Sequence, residues 1–212
     1  MTRTVTRLFD THTEALAAAS RLRESGIDQD AISIVSNNAD DWHGKHLASD
    51  GKGPLGDHNG DGENDVADGA GKGATTGGLL GGGAGLLAGL GMLAIPGLGP
   101  VVAAGWLAST AVGAVIGAAA GGATGGLLGA LKEAGHSDEE AHVYSEGVRR
   151  GGTLLSVRAD EADCQRIEAL MTGGVDAMTR GQDYRKSGWS EFRDDAEPYT
   201  ADQITRERQQ YL

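Results

Sequence analysis

The residues between Lys72 and Lys132 constrain the fold more than any other part of the chain, because none of them is charged. Small residues recur there at every fourth position, on both sides of the sequence PGLGP at 96–100. Positions four apart share one helix face, so each half carries a stripe along which two backbones could approach closely. The two stripes consist of Gly73, Gly77, Gly81, Gly85, Gly89, Gly105, Ser109, Gly113, Gly117, Gly121, Gly125 and Gly129.

This spacing predicts a long Gly/Ala-rich glycine-zipper helical hairpin over residues 73–131, with the small residues as its helix-packing positions. Proline ends a helix and biases the preceding residue away from the α region, so we expect residues 96–100 to form the turn. The opposite faces carry Leu, Val and Ile side chains. These side chains need an apolar environment, which lipid or other copies of the chain would supply.

The N-terminal flank, residues 1–36, predicts a βαβ unit. Residues 4–9 have the composition of a strand, and Thr11 and Glu14 form a capping box for a helix that ends near Gly26. Residues 31–35 then predict a second strand. This flank would supply half of an α+β domain.

The C-terminal flank, residues 132–180, predicts the order αβαβ. A capping box begins at Ser137, a strand covers 153–157, and Asp160 is expected to cap a helix that ends at about Met171. Residues 175–178 predict a last strand. Joined across the hairpin, the two flanks would form one ferredoxin-like α+β domain with four strands.

An acidic Gly-rich loop at residues 37–72 contains the clearest chemical motif in the chain. Its spacing of carboxylate and amide oxygens is that of a twelve-residue Ca²⁺ loop, with Gly62 at the sharp turn. Position twelve is Asp instead of Glu, and Pro54 lies where an entering helix would stand, so an acidic solvated linker is the alternative. The metal ligands would be Asp57, Asn59, Asp61, Glu63, Asp65 and Asp68.

Residues 181–212 form a polar tail in which we predict a short terminal helix, capped at Thr200. Trp189 and Phe192 are the conspicuous apolar side chains of this tail. They could form a docking motif for a partner, but we favour an interpretation in which they fold back on the domain.

Composition narrows the classes of function. The formal net charge is −12, which argues against nucleic acid and against anionic lipid headgroups as partners. The single cysteine, Cys164, excludes an internal disulfide. The first residues lack the apolar core of a signal peptide, so we expect a cytoplasmic location. We find no catalytic motif and predict neither an enzyme, nor a small-molecule substrate, nor a cofactor other than calcium.

Four stretches of the chain resemble one known family. They are RTVTRLFDTHTEALAAASRLRESGIDQDAISIVS near the N-terminus, GAGKGATTGG, AIPGLGPVVAAG, and EEAHVYSEGVRRGGTLLSV. Together they are similar to the bacterial general stress protein 17M (heat-induced stress protein) family over residues 3–178. The resemblance implies a non-catalytic, stress-associated bacterial protein with a glycine-zipper insertion, and it brings no catalytic residues.

Two functions remain open from the sequence. In the first, the hairpin inserts in or associates with the membrane and self-associates, while the acidic domain stays on the cytoplasmic side of the inner membrane. Residues 74–95 would span about 33 Å as a helix, close to a hydrocarbon core of about 30 Å. In the second, the chain is a soluble cytoplasmic homo-oligomer assembled through the hairpin. Calcium binding by the acidic loop is compatible with either function.

Overall fold

The structure is a computed structural model that describes residues 2–40, 91–110 and 126–210. These residues form an α+β fold around an antiparallel sheet of five strands in the order β1-β5-β2-β4-β3. The strands are β1 (Thr2–Phe9), β2 (Ile32–Asn37), β3 (Gly91–Ile95), β4 (Gly99–Ala104) and β5 (Thr153–Asp160). The helices are α1 (His12–Glu24), α2 (Gly126–Glu133), α3 (Asp138–Arg149), α4 (Cys164–Leu170), α5 (Ala177–Lys186) and α6 (Ala201–Arg208).

The sheet is built around β5, which pairs with β1 on one side and β2 on the other. Val5 lies opposite Val157, and Ile34 lies opposite Leu155. Both β1 and β2 are therefore antiparallel to β5, and the βαβ unit of the N-terminal flank has a later strand between its two strands. Extended residues rich in Val, Ile and Thr suit such a sheet.

Three of the four predicted helix caps are confirmed. Thr11 accepts a hydrogen bond from the backbone of Glu14 at the start of α1. Complete capping boxes start α3 at Ser137 and α6 at Thr200. Each cap satisfies backbone donors that the first turn of a helix leaves without partners, and this fixes where the helix begins.

Apolar side chains cover both faces of the sheet. On one face, α1 and α4 pack on Phe9 and Leu155. On the other face, α2, α3 and α5 pack on Leu8 and Leu154. Successive strand residues point to opposite faces, so neighbours in sequence belong to different cores.

The prediction of a helical hairpin is wrong for residues 91–104. These residues form a β-hairpin, β3–β4, which pairs with β2 so that Val35 lies opposite Ala103. Gly97 and Gly99 have φ of +73° and +79°, and these angles suit a tight turn between strands. β-Branched residues in β4 also favour extended backbone.

Two further boundaries differ from the predictions. Val175 makes only an isolated bridge with Leu8, because Asp176 accepts from Thr179 and starts α5 immediately afterwards. The helix expected from Asp160 begins instead with a 3-10 turn, Glu161–Asp163, and Asp160 makes no side-chain cap. The last predicted strand is therefore replaced by a bridge and a helix.

The tail folds back on the domain, as the sequence analysis favours. Phe192 is 6% exposed and lies in the core beneath α3, and Ile204 is completely buried. Arg150, the C-cap of α3, contacts Glu207 of α6 at 2.9 Å. The alternative in which Phe192 belongs to an exposed docking motif is therefore wrong for this structure.

Candidate functional site: the outer edge of β1

A groove of about 530 Å³ runs along the outer edge of β1. The connection between α2 and α3 forms one wall of this groove, and the start of α5 and part of α4 form the other. Its lining is mixed in charge and rich in hydroxyl groups. The polar side chains that line it are Thr2, Arg3, Thr4, Thr6, Arg7, His136, Glu140, Tyr144, Cys164, Glu168 and Asp176.

The backbone of β1 presents hydrogen-bonding groups to this groove. Leu8 donates to the Val175 carbonyl at 2.9 Å and accepts from the Val175 N–H at 2.8 Å. Outward and inward backbone groups alternate along an antiparallel strand, so the backbone groups of Thr2, Thr4 and Thr6 also point away from β5. No described residue extends the strand pairing beyond Val175.

Tyr144 occupies the position at which the strand pairing stops. Its hydroxyl donates to the Thr6 carbonyl at 2.9 Å and accepts from the Ala177 N–H at 3.2 Å. Burial raises the pKa of the Tyr144 phenol to about 12. The hydroxyl therefore stays protonated and closes the edge at Thr6, and no described residue pairs with the backbone from Thr2 to Thr4.

His136 lies on the floor of the groove. Its Nε2 is 2.8 Å from Thr6 Oγ1, which in turn is 3.0 Å from Ser156 Oγ. Burial lowers the pKa of His136, and the nearby Glu140 carboxylate only partly opposes this effect. The imidazole is therefore held in its neutral form.

A carboxylate, an imidazole and a hydroxyl lie in the order of a catalytic triad: Glu140, His136 and Thr6. Their distances and burial, however, are those of side chains that stabilise the fold. Glu140 Oε2 is 3.8 Å from His136 Nδ1, too long for a hydrogen bond, and it accepts from the Ser137 N–H at 2.9 Å. Thr6 is only 3% exposed. A nucleophile needs both an oriented base and access to substrate, and Thr6 lacks both.

Charged side chains line the outer side of the groove in opposite-sign pairs. Arg3 lies 3.5 Å from Glu161, and Arg7 lies 3.7 Å from Glu168. Arg3 and Glu161 are both well exposed, so water screens this pair. The lining also includes Glu140 and Asp176, so its carboxylates outnumber its arginines and the groove is slightly acidic.

Few of the sequence-predicted site residues fall within the described parts of the chain. All six proposed calcium ligands lie outside them, as do the zipper positions from Gly73 to Gly89 and from Gly113 to Gly125. Among the described residues there is no cluster of three or more His, Cys, Asp or Glu that could hold a metal, and no helix long and apolar enough to cross a membrane.

Three zipper positions are described, and they do not form one stripe. Gly105 has φ of +86° and ends β4; a Cβ there would overlap the Ile32 carbonyl of β2, so its close approach is to a strand. Ser109 is exposed in the helical turn 106–110, and Gly129 is partly buried within α2. The helix-packing role is therefore wrong for Gly105.

Cys164 packs at the edge of the core formed by α1 and α4, next to Ile167 and Met171. The open edge of β1 does not follow from the motifs in the sequence. The alternation of Thr with Arg or Val in residues 2–7 is its one signal, and many paired strands share that pattern.

Within residues 2–40, 91–110 and 126–210, the fold and the groove thus define an α+β protein with an open strand edge. No family model, no curated protein and no solved structure matches the chain.

Proposed function

We propose that the protein is a non-catalytic bacterial stress-response protein that acts by association. The observation that carries this proposal is a difference between the polar side chains in the groove and the backbone groups of β1 that face it. The hydroxyl and imidazole groups of Thr6, His136 and Tyr144 bond to one another and to the backbone, whereas the backbone groups of Thr2 and Thr4 face the groove. An open strand edge is a template for another strand.

The partner that we propose for this edge is β1 of a second copy. Thr2 and Thr4 each present one N–H and one C=O, and a two-fold axis at Arg3 would pair Thr2 of each copy with Thr4 of the other. Such an isologous contact is self-complementary and closes as a dimer. It also places the two Arg3 side chains opposite each other, a repulsion that the neighbouring Glu161 carboxylates offset in part.

The finer fold assignment belongs to the same proposal. In a ferredoxin-like domain, the strand that follows the second βαβ helix would pair with β1. The order β1-β5-β2, the location of α1 and α4 on one face, and the bridge from Leu8 to Val175 all support this assignment. We interpret Val175 as the remnant of the fourth strand, whose shortness leaves the β1 edge open.

We propose that the uncharged block adds a second association surface, with lipid or with other copies. Because β3 begins at Gly91, at most residues 73–90 remain for the first helix of a zipper. Such a helix would be about 27 Å long, slightly short of a hydrocarbon core of about 30 Å. This shortening favours the alternative, a soluble cytoplasmic homo-oligomer, more than the sequence alone does. Calcium binding by the acidic loop stays a prediction within either proposal.

Flotation of the full chain with native membranes, with and without an alkaline carbonate wash, separates the two versions. Retention after the wash supports insertion on the cytoplasmic side of the inner membrane. Absence from the membrane fraction, together with a sedimentation mass above one chain, supports the soluble oligomer. A monomer that does not float would contradict the proposal that the protein acts by association.

A further inference from the structure

The tail between α5 and α6 packs on the turn of the β3–β4 hairpin. Phe192 is buried with Ile95 and Leu98 in the core beneath α3. A Cβ on Gly97 would lie 2.7 Å from the Arg193 carbonyl oxygen, closer than real Cβ contacts. The backbone of the tail thus fits against a turn that has no side chain at this position.

Two hydrogen bonds tie the segment between α5 and α6 to α3. Near its end, Arg149 donates to the Glu197 carbonyl at 3.1 Å and lies over the Tyr199 ring, and the second bond lies nearer its start. The Phe192 N–H donates to His142 Nδ1 at 3.2 Å. A ring nitrogen can accept only when it carries no proton, so this bond requires the neutral imidazole. In the charged imidazole both ring nitrogens are donors, and the Phe192 N–H would then face another N–H.

Charged side chains lie near His142 on its own helix and on the tail. Asp138, one turn earlier on α3, has its carboxylate 3.7 Å from His142 Nε2, and it also pairs with Lys132 of α2. From the tail, Glu191 and Arg193 flank Phe192 in sequence, and Arg193 bonds to Asp195 at 2.8 Å. The charged imidazole would therefore keep its contact with Asp138 while losing that with Phe192.

Trp189 gives an independent reason for the tail to leave the surface on which it packs. Its indole meets the Tyr184 ring edge-on at 5.7 Å, but the buried Nε1 has no hydrogen-bond partner among the described residues. A buried donor without a partner opposes docking, because release would return it to water.

The end of the tail is held by contacts that do not involve His142. Ile204 packs where a Cβ on Gly151 would stand, and Arg208 bonds to the Gly151 carbonyl at 2.8 Å and to Asp40 at 2.6 Å. These contacts can keep α6 in place when the preceding segment leaves.

We infer that residues 189–200 form a pH-sensitive strap, which protonation of His142 releases from the β3–β4 turn while α6 stays docked. Release uncovers the apolar side chains of Ile95 and Leu98. This exposed surface lies on the hairpin that directly follows residue 90 of the uncharged block. The strap itself does not depend on the proposed self-association through β1.

Hydrogen exchange of the full chain at pH 7.5 and pH 5.0, corrected for the intrinsic exchange rate at each pH, tests the strap. We expect the protection of peptides within 189–200 to fall about tenfold or more at pH 5.0, and that of α6 to change much less. His142→Gln, which keeps an acceptor but does not titrate, should abolish the fall. His136→Gln, at a buried histidine remote from the tail, is the matched control and should retain it.

Unchanged protection of 189–200 in the wild type, or an equal fall in the His142→Gln variant, would overturn the inference. Loss of protection in α6 to the same extent would also overturn it, because the whole tail would then leave together. His142→Asn serves if the glutamine variant does not fold. Its amide oxygen stands near the position of Nδ1, so it also keeps an acceptor that does not titrate, and a fall in protection that persists in this variant would count against His142 as the trigger.

Discussion

Leu8 and Val175 exchange two backbone hydrogen bonds, of 2.9 and 2.8 Å, and they form the one bridge that the described residues make to the outer side of β1. Asp176 then caps α5, so the strand cannot continue alongside Thr6. Among the described residues, the early start of this helix leaves the edge of β1 beyond Leu8 without a paired strand. A local capping preference thus produces the edge that we propose for association.

Replacement of Arg3 by Ser should strengthen self-association. Pairing of two β1 strands about Arg3 opposes like charges, so their removal should tighten the dimer about two- to fivefold. Raising the salt concentration should tighten the wild-type dimer by screening the same repulsion, and should affect the variant less. Sedimentation velocity across a concentration series measures both effects. A weaker dimer in the Arg3→Ser variant would show that the strands pair in another way.

Gly151→Ala should destabilise the protein more than Gly135→Ala does. Both glycines have positive φ, +97° and +95°, so the backbone strain of alanine is similar and costs about 1 kcal/mol in each. At Gly151 the new methyl group also overlaps Ile204, whereas nothing lies within 4 Å at Gly135. Overpacking should add about 1–3 kcal/mol to the loss at Gly151. Urea denaturation of the pair measures this difference, and equal losses would mean that α6 does not pack against Gly151.

Glu146→Ala should be among the most destabilising single changes. Glu146 is completely buried on α3 and bonds to Arg150 at 2.7 Å and to Arg149 at 3.3 Å. Truncation leaves two half-buried guanidinium groups without this partner, at a cost of about 3–5 kcal/mol. Glu207→Ala is the matched control, because Arg150 then keeps Glu146, and the expected loss is about 1 kcal/mol or less. If chemical denaturation gives similar losses for the two variants, the buried carboxylate does not hold α3 and the tail together.

Stability should fall as the pH drops below about 6.5. Burial lowers the pKa of His136 from 6.5, so the unfolded chain binds a proton more readily than the folded protein does. The neutral imidazole contributes its full stabilisation above the unfolded pKa, and this contribution is lost as the pH falls towards the folded value. Urea denaturation at pH 7.5 and 5.5 should show a smaller loss for His136→Gln than for the wild type. An identical loss in both proteins would place the pH dependence elsewhere.

The caps at Thr11, Ser137 and Thr200 could be predicted because each joins residues three positions apart. The β3–β4 hairpin could not. A glycine repeat of four favours helices, and a proline-bounded turn suits helical and β-hairpins alike. Pairing with Val35 and its neighbours in β2, far away in the sequence, decides between them.

The candidate site was less predictable than the fold. Its polar contacts, such as Thr6 with His136, join residues 130 positions apart. Its open edge depends on the helix that Asp176 starts. This helix could not be predicted, because the composition of residues 175–178 suits a strand equally well. The remote pairing of β1 with β5 determines which backbone groups face outwards.

Sedimentation equilibrium of three forms of the 212-residue chain tests most directly the claim that the β1 edge pairs with a second copy. The Thr4 N–H points away from β5, so Thr4→Pro can keep the fold while it removes an outward donor, whereas Thr4→Val keeps that donor and loses only the hydroxyl that bonds to Ala134. Pairing of two β1 edges predicts masses above the 21.7 kDa of one chain for the wild type and Thr4→Val, and a smaller mass for a folded Thr4→Pro. A folded Thr4→Pro with the mass of the wild type, or a wild type that is monomeric throughout, would contradict it.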